Sequence, residues 1–180
     1  TRVGFEIMDE KWPEDAVNAA MVVIDFDGQD PLQEENIIAV HRWMKNYLTD
    51  ERVLDAFGYA LPESTMNESE VLQFWQTPSE FLDNETIAKR EYVRAQFLSN
   101  NITFLIFSLD GPITGEDSRS FVHDLRSDRS ELLDELTIGS QGVLKVAGFA
   151  AYSLDVLDAM TKIRQFKQDV DIARTEREHK

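Results

Sequence analysis

Residues 52–60, RVLDAFGYA, and residues 142–150, GVLKVAGFA, share Val, Leu, Gly, an aromatic residue and Ala in register. Each has the length and apolar content of a strand, and each follows a segment of helical periodicity. Upstream, residues 21–26 (MVVIDF) and 102–109 (ITFLIFSL) are Val/Ile/Phe-rich runs of strand length, and each leads to Asp-Gly, at Asp27-Gly28 and Asp110-Gly111. The chain therefore reads as two strand-helix-strand units. Two such units form a four-stranded sheet with both helices on one face, an α+β arrangement of ferredoxin-like type.

The intervening helices fit this pattern. After Pro31, taken as a helix opening, Ile37, Val40, Met44, Tyr47 and Leu48 recur at helical steps, and from about Glu116 the residues Phe121, Leu125, Leu132 and Leu136 do the same. The opposite face of that second helix, with Arg126, Asp128 and Arg129, is expected to be solvated. Repeat 1 thus occupies about residues 19–60 and repeat 2 about 101–150 of a single domain. Between them, about 61–100 is polar and helical in pattern, broken at Thr77-Pro78, and reads as a helical insert. A last helix, about 153–180, is capped by Ser153 and carries Val156, Met160, Ile163 and Val170 as an apolar stripe. Its end is expected to project beyond the sheet.

Composition bounds the function. The 180 residues are 42% hydrophobic and 29% charged, a globular balance, with a net charge of −16 that repels nucleic acid and anionic lipid surfaces. With no cysteine, disulfides, thiolate metal sites and cysteine nucleophiles are excluded. No run approaches the roughly 18 apolar residues of a membrane span, and residues 1–15 lack the apolar centre of a signal peptide. The start at Thr1 points to processing or to excision from a longer chain.

Chemistry-bearing motifs are few. Val22 to Gly28 ends in Asp-x-Asp-Gly and resembles the first motif of the haloacid dehalogenase superfamily, which implies a phosphatase with Asp25 as nucleophile and Asp27 as acid and base around magnesium. Gln29 departs from the usual Thr or Val, and no later Gly-Asp-x-x-x-Asp completes the magnesium site. The same acids fail as an EF-hand, because Gly28 stands fourth rather than sixth. His41, His123 and His179 have no metal-ligand spacing, and no Gly-x-Ser-x-Gly, Gly-Lys-Ser/Thr or Gly-x-Gly-x-x-Gly occurs. No catalytic residue, metal or cofactor is expected. Phe74, Trp75 and Phe81 in the insert read either as a satellite core or as a lip meeting substrate or a partner.

Residues 144–155, LKVAGFAAYSLD, leave a strand through small residues into a helix, with Asp155 in its first turn. Val146, Gly148, Ala151 and Asp155 resemble the Val-Gly-Gly-x-x-Ala-x-x-x-Asp pattern closing the extracytoplasmic porter domains of MMPL-type transporters of the resistance-nodulation-division (RND) superfamily, with Ala147 at the first paired glycine. The strand at 97–109, Leu125-Arg126, the helix start from Pro31 to Asn36 and Trp12-Pro13 resemble further parts of that family, from about Phe5 to Ile163. The resemblance implies a porter-type domain excised from a proton-driven exporter on the periplasmic face of the membrane. Its partners would be the transporter's membrane helices, a second porter domain and a hydrophobic or lipid-like substrate, with oligomerisation allowed. A free-standing ferredoxin-like ligand-binding protein is a further alternative.

Overall fold

The computed structural model describes residues 18–112 and 115–148 and, after them, 151, 152, 154–156, 159, 161, 162 and 165. Along the chain run β1 (Ala19–Asp25), α1 (Glu34–Tyr47), β2 (Val53–Gly58), α2 (Glu68–Gln76), a 3-10 turn (Ser79–Phe81), α3 (Asn84–Phe97), β3 (Leu98–Ser99), β4 (Ile102–Leu109), α4 (Glu116–Glu135) and β5 (Val143–Ala147). The strands form an open five-stranded antiparallel sheet in the order β2-β4-β1-β5, with β3 paired to the start of β4. The fold is α+β and compatible with the ferredoxin-like type. Because β1 and β2 both run antiparallel to β4, they are parallel to each other with β4 between them. By the same reasoning β4 and β5 are parallel, separated by β1.

Strand alternation defines the core. On β4, Thr103, Leu105, Phe107 and Leu109 are buried, and across the register they meet Ala20, Val22 and Ile24 of β1 and Ala56 of β2. Helices α1 and α4 lie on that face: Trp43, Tyr47 and Phe121 surround Phe107 with ring centroids 5.4–5.6 Å apart along the Tyr47 and Phe107 contacts to Phe121 and to each other. Edge-to-face packing of this kind adds about 0.5–1.5 kcal/mol per pair beyond the buried area. Ile37, Val40, Met44 and Tyr47 are all buried, so the helical spacing of α1 identified its inward face.

Several boundaries differ from the sequence reading. Helix α1 begins at Glu34 rather than at Pro31, because the Asp30 carboxylate accepts from Leu32 N at 2.9 Å and the Asp30 carbonyl accepts from Asn36 Nδ2, holding residues 30–33 in a turn. The sheet has a fifth strand: Asn100, at φ +55°, lets Leu98 and Ser99 fold back on Thr103 and Ile102 in a tight hairpin. β5 stops at Ala147, and helical residues resume at Ala151, ahead of the expected cap Ser153, which lies outside the described residues. The stripe residues Met160, Ile163 and Val170, and the stretch to Lys180, also lie outside them, as do Trp12-Pro13 and the rest of 1–17.

On α4 the expected solvated face carries two side-chain contacts. Tyr47 Oη donates to Asp128 Oδ2 at 2.7 Å, and Arg126 is ion-paired with Asp155. Burial and the Asp128 carboxylate together push the Tyr47 phenol above its ordinary range.

Candidate functional site

The two aspartates of the Asp-x-Asp-Gly motif serve the turn that contains them. Asp27 (φ +49°) and Gly28 (φ +81°) reverse the chain after β1. Asp25 Oδ1 accepts from Asp27 N at 2.9 Å and from Asn101 Nδ2 at 2.7 Å, while Asp27 Oδ2 accepts from Gln141 N at 3.0 Å. The carboxylates thereby join the loop after β1 to the β3–β4 hairpin and to the segment before β5. No group of three or more His, Asp or Glu that could hold a metal ion occurs among the described residues. His41 is buried with Nδ1 2.8 Å from the Ala60 carbonyl, His123 is an exposed residue beside Asp124, and His179 lies outside the described residues.

The aromatic trio of the insert divides. Phe74 and Trp75 are buried and packed edge to face at 5.1 Å, and Trp75 Nε1 donates to the Tyr59 carbonyl at 2.9 Å. Arg90 and Arg94 of α3 lie over the Phe74 and Trp75 rings at 5.7 and 5.5 Å, so the two rings face helix α3 and the chain after β2. Phe81, 74% exposed, stands apart on the 3-10 turn. α2 is placed by a capping box in which Asn67 Oδ1 accepts from Glu70 N and Glu70 Oε2 accepts from Asn67 N.

The turn after β5 brings the resembling motif together. Gly148 has φ +99°, and a Cβ there would lie 2.7 Å from the Ala19 carbonyl oxygen, so both conformation and space demand glycine. Its carbonyl accepts from Tyr152 N at 2.9 Å as helical residues begin. Ala151 is buried, Val146 packs against the core, and Asp155 receives a two-pronged contact from Arg126, Nη1 to Oδ1 at 2.7 Å and Nη2 to Oδ2 at 3.1 Å. Arg126, of the Leu125-Arg126 pair, and Asp155, 29 positions on, are thus in contact. The hydrogen bond from Arg126 holds the Asp155 carboxyl below its ordinary range.

The sheet face away from the helices was absent from the candidates. Phe57, Ile106, Met21 and Ala147 stand in one row across β2, β4, β1 and β5, with Val23 and Phe104 beside them. All are half-buried or exposed, Phe57 to 43%. A signal was present: ITFLIFSL is apolar at both parities, the pattern of a strand covered on both faces, whereas the described elements cover one.

Among the described residues, no helix is long and apolar enough to cross a membrane. No protein-family model and no curated protein matches the chain.

Proposed function

We propose that this chain is an extracytoplasmic porter-type domain of an RND/MMPL-type, proton-driven exporter, and that it helps capture and convey hydrophobic or lipid-like molecules. In this reading the two strand-helix-strand units are a duplication, with α2, the 3-10 turn and α3 as an insert between them. The observation that carries it is the half-buried to exposed row of Phe57, Ile106 and Met21, apolar in a chain of net charge −16. Aromatic residues and methionine are enriched at contact surfaces, and here Lys145 stands opposite Val23 and Asp55 beside Phe57 as the polar margin of the row. A cleft wall facing a second porter domain, with an apolar substrate between, needs such a face.

A second feature supports the placement. β1 begins beside the end of β5, with Met21 opposite Ala147 and Ala19 against Gly148, so the chain enters and leaves the sheet at one end. That geometry suits a domain carried in a loop between two membrane helices. Proton transfer would belong to those helices, and no catalytic group is assigned here.

The test is export by the whole transporter. Phe57→Asp and Ile106→Asp at matched surface expression should each reduce export at least tenfold, with Phe81→Ala unchanged; normal export in both aspartate variants removes the face from the pathway. The coding sequence on either side should show about 20 apolar residues before and after this segment. Their absence favours a free-standing ligand-binding protein, and magnesium-dependent phosphatase turnover abolished by Asp25→Asn favours the dehalogenase-like alternative.

A further inference from the structure

The sheet face away from α1 and α4 carries opposite charges at two diagonal corners. Across the strands its side chains stand in rows: Asp55, Ser108 and Ala19; then Phe57, Ile106, Met21 and Ala147; then Phe104, Val23 and Lys145. Asp55 thus lies at the β2 edge of the first row and Lys145 at the β5 edge of the third. Three strand spacings across the sheet and the step from Phe104 to Ser108 along it separate them, roughly 20 Å on the diagonal. Lys145 is exposed and Asp55 half-buried, and among the described residues neither is ion-paired. Between the two charges Phe57, Ile106, Met21, Phe104 and Val23 form an apolar field.

We infer that this face pairs with the same face of a second copy of the chain. A two-fold axis lying in the interface, perpendicular to the Asp55–Lys145 diagonal, makes the patch its own complement, as an isologous contact requires. Each Asp55 then meets Lys145 of the other copy, and each Phe57 lands between Phe104 and Val23 of the other copy. The strands of the two sheets cross at about 90°, one of the two arrangements in which sheets pack face to face. Corner charges of one sign would have set like against like under the same axis. An apolar small molecule on this face would leave both charges unanswered, whereas a second copy answers each with its opposite.

The patch spans roughly 400 Å² of sheet per copy, about half of the ~800 Å² that each partner gives to a standard interface. Two chains of net charge −16 also repel each other, so the pair is a weak one. The pairing does not rest on the transporter reading: export reports on the face within a whole transporter, and association reports on it in this chain.

Sedimentation equilibrium of the 180-residue chain in about 0.15 M salt, where the Debye length is about 8 Å, tests the pairing. The parent should pass from monomer at about 5 μM to mostly dimer at about 500 μM. Phe57→Asp should weaken association at least about tenfold, because it sets a charge in the apolar field. Lys145→Glu and Asp55→Lys should each do the same alone, since each faces like charges across the axis. A 1:1 mixture of those two variants should associate as the parent does, because every charge then meets its opposite. Circular dichroism should match the parent in each, and if Asp55→Lys unfolds, the exposed Lys145→Glu alone decides. A parent that stays monomeric at the higher concentration overturns the pairing. So does parent-like association of Lys145→Glu by itself, which would place the contact on another surface, and so does a mixture of folded variants that fails to associate.

Discussion

Arg52 shows how one side chain can secure several segments. Its guanidinium reaches Asp50 at 2.6 Å, Asp124 at 2.8 Å and Ser120 at 2.9 Å, and lies over the Phe121 ring, tying the turn before β2 to α4. The bond from Arg52 holds the Asp50 carboxyl below its ordinary 3.8. A carboxylate depressed in the folded state stabilises above its unfolded value, and that contribution disappears as pH falls through the lower folded value. Arg52→Gln should therefore cost about 1–2 kcal/mol at pH 7, or roughly 3–6 °C of melting temperature. The difference from the parent should begin to shrink as the pH falls below about 3.8 and disappear only below the lower value that Asp50 has beside Arg52. Thermal melts of both proteins between pH 7 and 2.5 measure this, and a constant gap would contradict the assigned coupling. In the sequence Arg52 was legible only as the first residue of a strand, since its partners Ser120 and Asp124 lie about 70 positions away.

At the scale of elements, α2 illustrates what periodicity can and cannot tell. The sequence marked residues 61–100 only as polar and helical with a break at Thr77-Pro78; the structure shows a helix capped by Asn67 and Glu70 with Val71, Phe74 and Trp75 buried. Which element would receive that face was not legible, because the receiving groups are a carbonyl of the chain after β2 and two arginines of α3. Trp75→Ala should lower the melting temperature by roughly 10 °C, given about 3–5 kcal/mol for removing a buried large aromatic. Phe81→Ala should stay within about 0.5 kcal/mol, since the ring is largely in water. Equal losses in the two variants would place Phe81 in the satellite core as well.

At the scale of the molecule, the charge of −16 makes the folded state repel itself. The Debye length shortens from about 10 Å at 0.1 M salt to about 3 Å at 1 M, so sodium chloride should screen this repulsion more than it weakens the short, partly sheltered Arg52 pairs. The melting temperature should rise by several degrees over that range, and a fall would show that surface ion pairs outweigh the net charge. The same screening should weaken the exposed Arg126–Asp155 pair.

The sequence by itself determined the element types, the strand runs and the inward faces of α1 and α4, because those depend on alternation and helical spacing within a few residues. Its turn residues also marked the reversals at Asp27-Gly28 and Gly148. The tertiary structure alone decided the strand order β2-β4-β1-β5, the extra hairpin at Leu98–Ser99 and the union of Arg126 with Asp155, since each joins groups that no local pattern relates. It also turned the candidate lip inward at Phe74 and Trp75 and left the other face of β4 half-buried. A side chain's periodicity says that it seeks cover; which surface supplies that cover is fixed only when distant segments compete to bury their own apolar faces.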